Sequence, residues 1–394
     1  MNHGLRRLPR ILLLSARQHL MAELAAGCRA IGIEHASLFL GDVSSAAELE
    51  TVLLTAMNEL RPDFLLTINH SGLDREGLVS GMCRHIQMPL LSWFVDRPEL
   101  FLPAYVNLEN QYLAYAVWDA DAVVGLKTMA GGRVFHLPLG ADLSRIEFLP
   151  QARHERDVAF VGNSMQAAAE RSWNASGRPE DERVFWDSLA VGFAVSELRV
   201  IGEYLRQEWP EAWKRRLALD GEEATALDAF LYWRSTQHYR TRCVRELLPF
   251  APVVAGDARW SELLGPGSWK HGGPLNYYED LPVFYRLTGI NFNTTSMQMK
   301  GALNQRVFDV PASGGFLLTD RRDQMDVAFE HDTEVVCYDS PEEIGDLVRH
   351  YLGNPAARLC VATRARRRIE GEHTYAHRVA DICKHMRAMY GTPA

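Results

Sequence analysis

The stretch NQRVFDVPASGGFLLTD, residues 304–320, joins a short polar helix to a tight turn and a buried strand. The helical half carries an amide, a guanidinium and a carboxylate, and the Gly314-Gly315 pair then leads into the apolar run 316–319. Helix N-terminal amides and a guanidinium both attract phosphate, and a nearby carboxylate can accept hydrogen bonds from ribose. On spacing alone, the stretch is equally consistent with an anion site and with an ordinary connection between two elements.

The first 145 residues repeat this alternation of short apolar runs and helical spacing. Strands are predicted at 11–15, 35–40, 63–69, 89–95, 122–125 and 134–139, and helices at 20–31, 46–60, 73–85 and 112–116. Strands that alternate with helices of about a dozen residues predict βαβ units around a parallel sheet, so the fold class is α/β. In such sheets the ligand binds beyond the carboxyl ends of the strands.

The pattern restarts after the hinge-like segment 138–142, and 394 residues are too many for one typical core. We therefore expect two domains and a terminal helix, at 1–145, 146–375 and 376–394. The second domain is expected to have strands at 157–164, 252–255, 289–293, 316–319 and 334–338, and a loop at 269–274. Tryptophans concentrate in its helical segment 165–250, where their spacing favours a helix core over a binding surface.

Composition argues against several classes of function. The net charge of −8 and the pI near 6.0 disfavour a general nucleic-acid or anionic-membrane binder. No Gly-x-Gly-x-x-Gly motif follows the first predicted strand, which weighs against a dehydrogenase. The six cysteines lack metal-ligand spacing, and no apolar run approaches the ~20 residues of a membrane helix. These features predict a cytoplasmic protein without a transmembrane segment.

Residues 275–383 resemble the group 1 glycosyltransferases of the GT-B fold, and most closely their spore-maturation-protein-like branch. That family places an acidic residue five positions before a glycine, and here Asp309 and Gly314 take these places, with Asp where the family more often has Glu. Further shared features are RVFD at 306–309, GFLLTD at 315–320, EVVCY at 334–338, SPEE at 340–343 and EHTYAHR at 372–378. The N-terminal half resembles the family mainly through WFVDRP at 93–98.

The resemblance implies two Rossmann-like domains that face a cleft, with the C-terminal helix returning to the N-terminal domain. Asp309 would bind the ribose of a nucleotide-sugar donor, and Asn304 and Arg306 would lie near its diphosphate. Enzymes of this fold usually stabilise the leaving diphosphate with helix-end amides and basic side chains, so no metal or other cofactor is expected. The predicted donor-binding residues are Asp309, Arg306, Asn304, Ser313, Gly314, Gly315, Gly162, Asn163, Ser164, Lys270, Tyr277 and Tyr278.

Several of these residues also have ordinary structural explanations. Lys270 fits a solvated loop lysine, and the 162–164 turn fits a plain strand-end turn. Tyr277 and Tyr278 fit surface or core aromatic residues. In the functional interpretation, the lysine and the backbone of the turn would approach phosphate, and a tyrosine would stack on the nucleobase.

Glycosyl transfer with inversion needs a general base, and three side chains near predicted strand ends of the N-terminal domain are candidates. Asp96 directly follows the buried strand 89–95 and is our first choice. His70 lies in a polar loop that fits a ligand site, and His19 would orient Asp96. A structural role is the alternative for each residue, such as an ion pair of Asp96 with Arg97. A retaining enzyme needs no such base, so the stereochemistry stays open.

The sequence therefore predicts a glycosyltransferase of the hexosyltransferase type that uses a UDP-, GDP- or dTDP-sugar. Its acceptor would be a polysaccharide, a lipid-linked glycan or a protein such as flagellin, and only the family suggests the last. Two alternatives remain. One is a nucleotide-sugar 2-epimerase, which shares the two-domain fold. The other is a non-catalytic nucleotide-sugar-binding scaffold that holds a partner through the tryptophan-rich helices.

Overall fold

The computed structural model describes residues 7–17, 20–43, 45–106, 108–130, 132–146 and 154–391. The backbone divides into two compact units. Unit 1 comprises Met1–Asp142 and His373–Ala394, and unit 2 comprises Leu143–Glu372.

Unit 1 is built on a parallel sheet with the order β2-β1-β3-β4-β5-β6, six strands in the described residues. The strands are β1 (Ile11–Ser15), β2 (His35–Phe39), β3 (Phe64–Ile68), β4 (Leu90–Phe94), β5 (Leu113–Val117) and β6 (Val134–His136). Strands β1, β3, β4 and β5 are buried along their whole length, as expected for a parallel sheet covered on both faces. The order of the strands reverses between β1 and β3.

The helices of unit 1 are α1 (Met21–Ala30), α2 (Ala46–Leu60), α3 (Leu78–His85), α4 (Ala122–Ala130) and, at the end of the chain, α16 (Tyr375–Tyr390). Two predictions in this unit are wrong. Residues 112–116 form most of a central strand instead of a helix, and residues 122–125 begin a helix instead of a strand. An apolar run of four or five residues fits both the helical and the strand period. Pairing with the neighbouring strands decided which structure each run adopted.

Unit 2 contains a second parallel sheet, with the order β12-β11-β10-β7-β8-β9 among the described residues. Its strands are β7 (Arg156–Val161), β8 (Val253–Ala255), β9 (Lys270–Gly273), β10 (Thr288–Phe292), β11 (Leu317–Asp320) and β12 (Val336–Tyr338). The chain winds outward from β7 to β9, then returns to pair β10 with β7 and winds the other way. This is the doubly wound order, so the switch point lies between β7 and β10. The predicted loop at 269–274 is wrong, because Lys270–Gly273 forms the edge strand.

The helices of unit 2 are α5 (Gln166–Ala175), α6 (Arg183–Val195), α7 (Ile201–Glu208), α8 (Pro210–Leu217), α9 (Gly221–Arg245), α10 (Trp260–Leu264), α11 (Leu281–Arg286), α12 (Gln305–Ala312), α13 (Met325–Ala328), α14 (Ile344–Gly353) and α15 (Pro355–Glu372). Trp173 and Trp186 are buried between the helices of the 165–250 segment, which confirms a core role for them. Trp209 is 43% exposed, so the core interpretation is wrong for that tryptophan.

Helix α16 packs against α1 inside unit 1, as the predicted fold requires. Its first residue follows a capping box in which Thr374 and His377 exchange hydrogen bonds. Arg378 is buried and donates from Nε to the carbonyl of Leu139 at 2.9 Å. Burial lowers the pKa of Arg378 to about 10, so it remains protonated at neutral pH. These bonds hold the end of the chain to the segment that leaves β6.

Two helical glycines of unit 1 predict opposite effects of the same substitution. A Cβ at Gly27 in α1 would lie 2.6 Å from the carbonyl oxygen of Tyr375 in α16, whereas a Cβ at Gly81 in α3 would meet nothing within 4 Å. We expect Gly27→Ala to lower the free energy of unfolding by about 1–3 kcal/mol through overpacking. Gly81→Ala should raise it by up to about 1 kcal/mol through helix propensity. Denaturant unfolding of both variants checks this, and equal effects would contradict the α1–α16 packing.

Candidate functional site

The site of unit 2 begins where β7 and β10 end side by side at the switch point. Asn293 and Thr294 directly follow β10. The N-cap of α12, Asn304, donates from Nδ2 to Oδ1 of Asn293 at 3.0 Å and to the carbonyl of Thr294 at 3.3 Å. These bonds bring the N-terminus of α12 to the carboxyl end of β10. Open α/β sheets bind their ligands at this position, and a helix N-terminus favours an anion there.

Arg306 lies in the first turn of α12 and is fixed by the same asparagine. Its Nε donates to Oδ1 of Asn293 at 2.7 Å, and Nδ2 of Asn293 donates to Thr319 at 2.8 Å. The guanidinium carbon lies 6.0 Å from the centroid of the Phe160 ring in β7. The polar contacts leave part of the guanidinium for a ligand, because only Nε is used by Asn293.

A second guanidinium, that of Arg240 on α9, lies over the same ring. Its carbon is 5.8 Å from the Phe160 centroid, and its side chain is 5% exposed. It donates to the carbonyl of Asn163 and, from Nε at 3.3 Å, to Oγ1 of Thr294. The sequence does not predict this residue as part of the site. The one sequence feature that could have indicated Arg240 is its place among the apolar positions of a long helix. A buried charge without a partner is costly, so an arginine there suggests a bound anion.

The two arginines form a concentrated positive site. Burial and the charge of Arg306 together lower the pKa of Arg240 to about 9, against the opposing effect of Asp320 and Asp257. Burial also lowers the pKa of Arg306, and Tyr285, Asp320 and Asp309 partly offset this effect. An arginine guanidinium in a protein carries its charge at neutral pH, so two like charges are held in a poorly solvated place. A bound anion relieves this repulsion, which makes the site suited to phosphate.

Asp309 lies one turn after Arg306 and on the same side of α12. The residue is 9% exposed, and both oxygens of its carboxylate accept hydrogen bonds. Nε2 of Gln305 donates to Oδ1 at 2.8 Å, and the hydroxyl of Tyr277 donates to Oδ2 at 2.9 Å. A carboxylate oxygen can accept more than one hydrogen bond, so this geometry is compatible with ribose binding.

The residues that end α12 are explained by packing. Ser313 donates from Oγ to the carbonyl of Asp309 at 2.8 Å and so satisfies the helix C-terminus. Gly314 has a positive φ of 79°, and a Cβ at Gly315 would lie 2.7 Å from Nδ2 of Asn291. An eight-residue helix is about 12 Å long, so these residues lie far from the N-terminal anion site. A donor contact for Ser313, Gly314 and Gly315 stays a prediction.

The turn after β7 is occupied by a carboxylate of the protein itself. The backbone N–H and the hydroxyl of Ser164 both donate to Asp257 at 2.8 Å. Gly162 accepts a hydrogen bond from the Trp260 indole at 2.8 Å, and Asn163 is exposed beside its bond from Arg240. Asp257 thus fills the place where Ser164 would meet a phosphate. Gly162 and Asn163 remain next to the two guanidiniums.

Lys270 lies on the edge strand β9, and the two tyrosines lie in the connection that follows this strand. Lys270 is exposed and begins β9, about 10 Å from the carboxyl end of that strand, and it pairs with Val253 at the amino end of β8. The rings of Tyr277 and Tyr278 meet edge to face at 5.0 Å, and the guanidinium of Arg145 lies 4.2 Å above the Tyr278 ring. The position of Lys270 disfavours a phosphate contact, whereas Tyr277 is bonded directly to the site.

In unit 1, Asp96 follows β4 and is half-buried. Asn69, which follows β3, donates from Nδ2 to Oδ2 of Asp96 at 2.9 Å. Its own Oδ1 accepts the backbone N–H of Val95 at 2.8 Å. Asn69 therefore orients the carboxylate at the carboxyl edge of the sheet, which fits a general base. His19, predicted to orient Asp96, lies outside the described residues.

His70 is held in the interior of unit 1. Its ring is 1% exposed, and Nδ1 lies 2.6 Å from Oγ of Ser92. The rings of Phe94, Tyr105 and Tyr115 surround it at centroid distances of 5.2, 4.9 and 5.8 Å. Burial lowers the pKa of His70 to about 3, so the imidazole is neutral at physiological pH. This setting favours a role in supporting the loop after β3, and a catalytic role stays a prediction.

The part of the chain that the structure describes contains no group of three or more His, Cys, Asp or Glu side chains placed to hold a metal ion. No helix that the structure describes has the length and apolar character needed to cross a bilayer.

Solved structures share the fold over nearly the whole chain. A glycosyltransferase from Rickettsia africae matches with a TM-score of 0.54 at 8% identity, over 98% of this chain and 100% of that one. HepE from Anabaena, in complex with UDP and glucose, matches with a TM-score of 0.55 at 11% identity, over 97% and 100%. AviGT4, a glycosyltransferase involved in avilamycin A biosynthesis, matches with a TM-score of 0.53 at 13% identity, over 98% and 99%. These similarities confirm the predicted GT-B fold.

Residues 237–384 match the sequence model of a family described as "Glycosyl transferase-like". The matched segment contains Arg240, Arg306 and Asp309. No curated protein shows significant sequence similarity to the chain. The family match, on a chain with the GT-B fold, indicates an enzyme of the glycosyltransferase type.

The buried imidazole of His70 predicts a pH-dependent stability. Its pKa is about 3 in the folded protein and ordinarily 6.5, so the unfolded chain binds one more proton between these values. The stabilisation is complete above pH 6.5 and is lost as the pH falls, by about 1.4 kcal/mol per pH unit. Denaturant unfolding at pH 7, 6 and 5 should show this slope. His70→Gln should remove that part of the slope, and an unchanged slope would place the imidazole in solvent.

Proposed function

We propose that this protein transfers a sugar from a nucleotide-sugar donor to an acceptor, with no metal or other cofactor. The observation that carries the proposal is the pair of guanidiniums, Arg240 and Arg306, over the Phe160 ring at the N-terminus of α12. Asp309 stands one turn further along the same helix. Along the site, two cations are followed by one carboxylate. This order matches that of the diphosphate and the ribose in a nucleotide-sugar.

The arginines would act on the leaving group. As the glycosidic bond breaks, negative charge develops on the diphosphate, and preorganised cations stabilise that charge more than the ground state. The amides in the first turn of α12 add to this effect through the helix dipole. Two fixed guanidiniums can supply the charge that a divalent cation supplies in other transferases, which supports a metal-independent reaction.

The donor is a UDP-, GDP- or dTDP-sugar in this proposal. Tyr277 and Tyr278 offer aromatic surface beside Asp309 on which a nucleobase can stack. The complex of HepE with UDP-glucose supports UDP among these nucleotides.

Unit 1 would bind the acceptor, and Asp96 would remove the proton of its hydroxyl in an inverting reaction. The bond from Asn69 supports this role, because an oriented carboxylate can accept a proton without reorganising. The acceptor would be a polysaccharide, a lipid-linked glycan or a protein such as flagellin.

We also propose that the enzyme works in the cytoplasm. The motifs between residues 275 and 383 support the proposal that it belongs to the spore-maturation-protein-like branch.

Incubation with a donor alone separates transfer from its alternatives. An epimerase would convert the donor to an epimeric sugar without an acceptor, and a binding scaffold would leave it intact. The proposed transferase would give only slow hydrolysis until an acceptor is added. The glycosyltransferase-like match over 237–384 favours transfer.

Removal of one donor-site charge should weaken nucleotide binding. We expect Arg306→Gln and Asp309→Ala each to raise the Kd for UDP, GDP or dTDP by about 100-fold, since charge-assisted hydrogen bonds are lost. Titration calorimetry with folded variants measures this. Arg349→Gln, on the exposed face of α14, removes an equal charge and should leave the Kd unchanged. Unaltered affinity in both site variants would refute this donor site.

The proposed base predicts a loss of turnover with intact donor binding. Asp96→Asn should lower kcat by about 10²- to 10⁴-fold, because a general base contributes that much to proton transfer. The Kd of the nucleotide should stay the same. Glu99→Gln removes an exposed carboxylate three residues further on and serves as the control. Full activity of Asp96→Asn would reject this base and favour a retaining mechanism.

A further inference from the structure

Asp309 is occupied by the protein's own donors in the free enzyme. Its side chain is 9% exposed, and an ionised carboxylate at that depth is costly unless it is hydrogen-bonded. Gln305 supplies a bond to Oδ1 at 2.8 Å and Tyr277 supplies one to Oδ2 at 2.9 Å. Gln305 belongs to the same helix as Asp309, whereas Tyr277 reaches the carboxylate from a separate segment of the chain.

Tyr277 lies in the connection between β9 and α11 and is 36% exposed. Its ring rests edge-on against Tyr278, which lies under the guanidinium of Arg145. The contact with Tyr278 supports the Tyr277 ring, while its hydroxyl donates to Asp309. The phenol therefore has a defined position and sits at the solvent-facing boundary of the site.

A ribose diol and the phenol compete for the same atom. Adjacent hydroxyls of a ribose can donate one hydrogen bond to each oxygen of a carboxylate. Oδ2 has room for a second bond, but the Asp309 residue is only 9% exposed and the more exposed of its two donors, Tyr277, stands at Oδ2, so the diol and the phenol compete for access to that oxygen. We propose that Tyr277 is a latch on Asp309 that the diol of a ribonucleoside diphosphate must displace from Oδ2. This inference rests on the proposed donor site and adds the ligand class and the step that opens the site.

The latch has two consequences for the proposed reaction. Without nucleotide, each oxygen of the buried carboxylate keeps a hydrogen-bond donor, so the free enzyme does not hold an uncompensated charge. With nucleotide, the displaced ring remains beside the ribose and becomes available to the nucleobase. Part of the binding energy of the ribose is used to open the latch, so the latch lowers affinity for every ligand that opens it.

The test is a cycle of two proteins and two ligands in titration calorimetry. Wild type and Tyr277→Phe are each titrated with UDP and with 2′,3′-dideoxy-UDP, and GDP with its dideoxy analogue is run in parallel. Tyr277→Phe should bind the ribonucleotide about three- to tenfold more tightly, because no phenol has to leave. The dideoxy ligand cannot compete for Asp309, so its Kd should change less than about twofold. Tyr278→Phe removes a hydroxyl from the neighbouring ring and should not reproduce the gain.

Several results would overturn the latch. Weaker binding of UDP to Tyr277→Phe would show that the phenol orients Asp309 for the ribose. An equal gain with both ligands, or no gain with either, would show that the phenol does not compete with the diol. Failure of the donor site itself looks different: wild type then binds neither nucleotide, or binds it with an affinity that Arg306→Gln does not change.

Discussion

The repulsion between two guanidiniums, one buried and one half-buried, is the constraint on which the site of unit 2 depends. Arg240 and Arg306 are held over one phenyl ring, and each is fixed by uncharged acceptors at the strand ends. Amide and carbonyl oxygens fix a cation without neutralising it, so the positive charge stays available. The two groups meet because α9 and α12 both reach the place where β7 and β10 end.

The tryptophan-rich helices pack around the helix that carries one of the two guanidiniums. Helix α9 carries Arg240 to the switch point, and α5 and α6 pack along it. The ring centroids of Trp173 and of Phe230 in α9 lie 4.9 Å apart. Trp186 on α6 is fully buried. A 25-residue helix that is packed along its length is rigid, and rigidity keeps the cation in place when no ligand is bound. The helical core thus contributes to electrostatic preorganisation.

In unit 1, hydrogen bonds at the strand ends hold a carboxylate in place, as they hold the guanidiniums in unit 2. Asn69 and His70 both have positive φ values, 49° and 58°, which cost energy for residues other than glycine. The bonds from His70 to Ser92 and from Asn69 to Asp96 hold the loop in this conformation. The Asn69 amide therefore orients the carboxylate that follows β4, and the bond of the buried His70 to Ser92 anchors the loop that carries this amide.

The sequence by itself determined the α/β alternation, most strand positions and the helix that carries Asn304, Arg306 and Asp309, because each follows from local periodicity or a compact motif. Tertiary structure alone decided which of two short apolar runs became β5 and which became α4. It also brought Arg240 within reach of Arg306, 66 positions later, and placed Asp257 where Ser164 was expected to meet phosphate. Local spacing encodes the period of an element, whereas pairing across the sheet and contacts between distant side chains are set only when the whole chain packs.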